Sequence, residues 1–98
     1  ELQLVNRSNF LRAALKTIEG PREEIYGSAE ENHQRIAAAW SNILTTEVTV
    51  PQVYACMIAV KLSRLTRSPD HLDSWLDIAA YAALAGETVP DTTGQVEK

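Results

Sequence analysis

One cysteine, four glycines and four prolines are spread over 98 residues, and no run of eighteen apolar residues occurs anywhere. Each shortage excludes something. A lone Cys56 leaves no internal disulfide; set in the apolar stretch 53–60, it reads as a small buried packing residue rather than a reactive thiol, which suits a reducing compartment. So few glycines and prolines exclude a collagen-like or low-complexity chain. Without a long apolar run, or a charged segment leading into an apolar one, neither a membrane span nor a signal peptide is expected, so the location expected is cytoplasmic. Nine Lys and Arg stand against thirteen Asp and Glu, a net charge of -4. The cations form no cluster, which argues against duplex nucleic acid as a partner. A free nucleotide bound through a metal stays compatible with this balance.

What is present is a chain with 45% hydrophobic and 22% charged residues, rich in alanine, and short enough for one core. We expect an all-α protein, a four-helix bundle in residues 1–87, followed by a flexible tail in 88–98. Val5, Phe10, Leu11, Ala14, Leu15 and Ile18 recur at helical spacing, and Gly20-Pro21 then stops a first helix. Ser28 with Glu31 three residues on is a capping-box pattern for a second helix, to about Leu44. Its inward face should hold Ile36, Ala39, Trp40, Ile43 and Leu44, with Glu30, His33, Gln34 and Asn42 toward water. Residues 45–50 read as loop. Thr49 and Pro51 cap a third helix to about Arg67, and Ser68-Pro69-Asp70 opens a fourth that Gly86 ends.

The most informative residue is Asp77, embedded in Trp75-Leu76-Asp77-Ile78-Ala79-Ala80-Tyr81. A helix this apolar must be mostly buried, and an unpaired carboxylate there costs several kcal/mol or neutralises itself. Lys61 and Arg64 create the matching oddity on the third helix, so the two helices together suggest a polar site within a helical core. Asp73, Asp77 and Tyr81 share one stripe at i, i+4 and i+8. Two readings stand. Asp73 and Asp77 share a hard divalent cation, Mg²⁺ or Mn²⁺, with a carboxylate such as Glu31 from the second helix completing the set; or Asp77 pairs with Lys61 or Arg64 while the other acids complement helix N-termini. Lys61 and Arg64, one turn apart, are suited to a phosphate. Asn32, Tyr81 and Tyr26, the last beside Gly27 at a helix entry, are the other candidates for ligand contact. Trp40, Trp75 and Tyr54 read as core aromatics. His33 and His71 are isolated, so zinc is not expected, and no P-loop, dinucleotide fingerprint or nucleophile elbow is present.

Three blocks, Tyr26-Gly27-Ser28-Ala29-Glu30-Glu31-Asn32-His33 onward to Trp40, Lys61-Leu62-Ser63-Arg64, and His71-Leu72-Asp73-Ser74-Trp75-Leu76-Asp77 onward to Tyr81, together resemble a phage and prophage family that shares a domain of unknown function. More distantly the chain is similar to a nucleotide-modification-associated phage family and to the all-α nucleotide pyrophosphohydrolases of the MazG and dUTPase type. That resemblance implies a helical, often oligomeric protein of the bacterial host cell, a homodimer or larger. It also implies Mg²⁺ held by Glu31, Asp73 and Asp77, with water attacking a nucleoside triphosphate. The chain departs from the E-x-x-E and E-x-x-D pattern of those enzymes: Glu30 and Glu31 are adjacent, and Asp73 and Asp77 are four apart. The alternative it leaves is a non-catalytic phage accessory protein whose bundle binds a nucleotide or a host protein.

Overall fold

The computed structural model describes residues 3–19 and 28–96. These are all-helical, with four helices and no strand: α1 (Arg7–Ile18), α2 (Ala29–Leu44), α3 (Val50–Arg67) and α4 (Leu72–Gly86). Local chemistry sets most of their ends. The Asn6 carboxamide oxygen accepts from the Ser8 N–H at 2.7 Å and starts α1. Ser28 Oγ accepts from the Glu31 N–H at 3.1 Å and starts α2 where the sequence pattern places it. At α3 the capping box is complete, the Thr49 N–H donating to Gln52 Oε1 at 2.9 Å and the Gln52 N–H to Thr49 Oγ1 at 3.4 Å.

Two boundaries differ from expectation. The helix expected to open at Pro69 begins at Leu72, because Ser68-Pro69-Asp70 forms a separate turn that the Trp75 indole N–H closes on the Pro69 carbonyl at 2.9 Å. Between α2 and α3, residues 45–49 are loop, and Ser41 holds them: its hydroxyl donates to the Ala37 carbonyl and accepts the Val48 N–H at 2.8 Å. Thr45 turns the chain there with φ 53, the left-handed region that a β-branched residue occupies at a cost.

The main packing runs α3 on α4, α1 on α4 and α2 on α3. Thus, among the described helices, α1 packs mainly on α4, and α3–α4 is the central pair. Among the described residues the buried ones are Ala14, Ala37, Val53, Tyr54, Leu65 and Ala80, with the polar His33 and Ser74. Several expected core positions move. On α2, Ile36 and Trp40 are half-buried, whereas Ala39, Ile43 and Leu44 are exposed, Ile43 at 76%. The buried stripe is instead His33 and Ala37, since α3 covers only one flank of the apolar face of α2. Trp75 is 43% exposed and Cys56 is exposed, so neither is a core residue. Each sits on the side of its helix away from the α3–α4 contact: α3 packs through Val53, Tyr54, Ile58, Lys61 and Leu65, a face opposite Cys56.

Candidate functional site

Lys61 falls seven residues after Tyr54 and four before Leu65, in the middle of the packed face of α3. On α4, Asp77 lies between the buried Ser74 and Ala80. Antiparallel packing brings these two positions together, and Lys61 Nζ lies 3.0 Å from Asp77 Oδ2, with side chains 14% and 29% exposed. The apolar surroundings that make either charge improbable alone make the pair favourable in place, since each supplies the counter-charge the other needs. Asp73, one turn before Asp77, is exposed, and so is Arg64, one turn after Lys61. The expectation that Arg64 is deeply packed therefore fails, since Arg64 projects from α3 to the side of the face that carries Tyr54, Lys61 and Leu65.

One turn further along α4, Tyr81 is half-buried and joins a ring cluster that sequence reading did not assemble. His33 stacks on Tyr54 with centroids 4.3 Å apart, and Tyr81 lies 6.2 Å from His33 and 6.3 Å from Tyr54. His33 was expected to face water; it is buried because its Nδ1–H donates to the Ala29 carbonyl at 2.7 Å, which satisfies its polar edge and frees the ring to stack. The signal was available, since His33 lies three and four residues before the apolar Ile36 and Ala37. The Tyr54 phenol is held above its ordinary value of 10.0, first by burial, then by Glu87, Glu30 and Tyr81. Glu30 and Glu87, with Glu19, also border an open cleft between the end of α1, the start of α2 and the end of α4, away from the Lys61–Asp77 crossing.

Of the remaining candidates, Glu31 is exposed at the start of α2, Asn32 is half-buried, and Tyr26 lies outside the described residues. Among the described residues no three His, Cys, Asp or Glu side chains are grouped so as to hold a metal ion, so Glu31, Asp73 and Asp77 do not form a three-carboxylate set. What α4 offers is two carboxylates one turn apart.

This is a small all-helical domain with an ion pair and an aromatic cluster where its central helices cross. The chain belongs to the family of the domain of unknown function DUF6378, which matches residues 9–89. It is similar to the Gene 55 protein of Mycobacterium phage L5, 38% identical over 77 residues, covering 78% of this chain and 49% of that protein. Similarity to the Gene 55 protein of Mycobacterium phage D29 is 35% over 74 residues, covering 76% and 49%. The resemblance to a phage family of unknown function thus holds, and the chain spans about half the length of these phage relatives. No solved structure matches it. Among the described residues no helix is long and apolar enough to cross a membrane.

Proposed function

We propose that this domain acts on nucleotides, as a Mg²⁺-dependent nucleoside triphosphate pyrophosphohydrolase of the all-α MazG-like kind. The observation that carries the reading is the Lys61–Asp77 pair at 3.0 Å, with Asp73 one turn away on α4 and Arg64 one turn away on α3. One cation and one carboxylate thereby meet at the helix crossing, with a second of each one turn away in the sequence. On this reading Lys61 and Arg64 bind phosphate oxygens, Arg64 through its two-pronged guanidinium. Asp73 and Asp77 carry the metal, and Tyr81 borders the ligand. Electrostatic stabilisation of the charge developing on the phosphoryl group supplies most of the rate effect. Glu31 and Asn32, near the start of α2, face the ligand when a second copy completes the site, so the active form is a homodimer or larger.

A second reading is favoured because, among the described residues, no third carboxylate is grouped with Asp73 and Asp77: the same residues bind a nucleotide without turning it over, in a phage accessory protein. One experiment separates the two. The purified protein is incubated with each nucleoside triphosphate and Mg²⁺ or Mn²⁺, the products are resolved by ion exchange, and thermal shifts are recorded in parallel. Released pyrophosphate, abolished by Asp73→Ala in a folded variant, supports the hydrolase. A thermal shift without products supports the accessory protein, and neither response rejects both.

A further inference from the structure

We infer that a second copy of this chain docks on the half-uncovered apolar face of α2, helix against helix, and that the domain is a dimer through this face. Spacing and exposure together define the surface. Ala29, Asn32, Ile36, Ala39 and Ile43 follow one another at three- and four-residue intervals and so form one stripe along α2, about 20 Å long. None of them is charged. The neighbouring stripe of His33, Ala37 and Ser41 meets α3, through the stack of His33 on Tyr54 and the bond of Ser41 to Val48. Trp40 lies between the two stripes and is half-buried, whereas Ala39 is exposed and Ile43 is 76% exposed. An amphipathic helix turns such a stripe inward. Among the described residues nothing covers its Ala39–Ile43 end.

Area and charge name the occupant. A folded monomer of 10.8 kDa exposes about 5,500 Å², but this chain exposes 7917 Å². The exposed segment 89–96 accounts for part of the difference, and apolar side chains such as Ile43 and Leu44 for another part. A standard interface takes about 800 Å² from each partner, well within that excess. The chain carries a net charge of -4, so two copies meet most readily through a surface with no charge of its own. The stripe is such a surface. Glu31, Arg35 and Asn42 border it on the solvent side, as a polar rim borders an apolar interface centre. Because the stripe meets itself, the contact closes at two copies. Its one polar member, Asn32, fixes the register, as a lone asparagine does between paired helices. The inference follows from this surface and not from the nucleotide reading, although it gives the second copy invoked there a definite place beside Asn32.

Sedimentation velocity of the full chain over a dilution series tests this, on the wild type, Ile43→Glu, Ala39→Glu and Leu11→Glu. All three positions are exposed in the protomer, so each variant should keep its helices, which circular dichroism checks. Wild type should sediment at twice the protomer mass. Ile43→Glu should raise the dissociation constant at least about a hundredfold, because each dimer would then bury two unpaired carboxylates. Ala39→Glu should act in the same way and is the variant read if Ile43→Glu does not fold. Leu11→Glu, on α1 and 61% exposed, should leave the dimer intact. A monomeric wild type overturns the inference, and so does a dimer that withstands both α2 variants. A dimer dispersed by Ile43→Glu in a protein with no response to nucleotides would sustain it while rejecting the nucleotide reading, and nucleotide turnover by a monomeric wild type would do the reverse.

Discussion

The imidazole of His33 lies 4.3 Å from the ring of Tyr54, centroid to centroid, with the planes inclined by 27°. This stack joins α2 to the central pair, and Tyr81 of α4 closes it from the side. Because Tyr81 lies one turn from Asp77, the same cluster that holds α2 in place also borders the charged crossing.

His33→Ala should lower stability by about 2 kcal/mol, the sum of a lost ring contact and the lost hydrogen bond to Ala29. His33→Phe keeps the stacking area and loses only the hydrogen bond, so it should cost about 1 kcal/mol. Urea unfolding of both variants gives the comparison; equal losses would mean that the stack contributes nothing.

Removing one member of the Lys61–Asp77 pair should destabilise the fold by about 1–3 kcal/mol, between the values for exposed and buried pairs, because both side chains are partly screened by water. The double variant Lys61→Met with Asp77→Leu should recover much of that loss, since apolar residues of similar volume suit the crossing. Thermal unfolding of the two single variants and the double one measures the coupling, and strictly additive losses would deny the pair any role.

Thr45 ends α2 at φ 53. Thr45→Gly should stabilise the protein by about 0.5–1 kcal/mol, because glycine takes this conformation without the steric cost a β-branched residue incurs. A higher urea midpoint at unchanged slope is the expected result.

Asp91 accepts hydrogen bonds from the Thr93 hydroxyl and from the N–H groups of Thr93, Gly94 and Val96. These hold its pKa down to about 2, the Thr93 hydroxyl contributing most. A depressed folded value means the turn is fully supported above the ordinary carboxylate range near 4 and loses that support as pH falls through about 2. The amide resonances of Thr93, Gly94 and Val96 should shift together over that interval. A transition centred near 4 would show that the turn does not hold the carboxylate.

Much of this arrangement is legible from the chain. Ser28, Thr49 and Pro51 mark helix starts because capping depends on neighbouring residues alone, and Asp77 announces a partner because an apolar helix cannot bury a charge unpaired. The start of α4 was misplaced, because Ser68-Pro69-Asp70 satisfies the same capping pattern while the Trp75 indole draws it into a turn of its own. His33 was missed because a polarity pattern treats imidazole as hydrophilic and takes no account of the Ala29 carbonyl that satisfies it.

By itself, then, the sequence determines the four helices of the described residues, most of their boundaries and the presence of a counter-charge for Asp77, since these follow from spacing and from the cost of burying charge. Tertiary structure decides which cation answers. It places Lys61 rather than Arg64 at the crossing, turns Cys56 and Trp75 outward, sends α1 to α4, and stacks His33 on Tyr54, because each outcome depends on how far and at what rotation two helices meet, and no local pattern of residues carries that information.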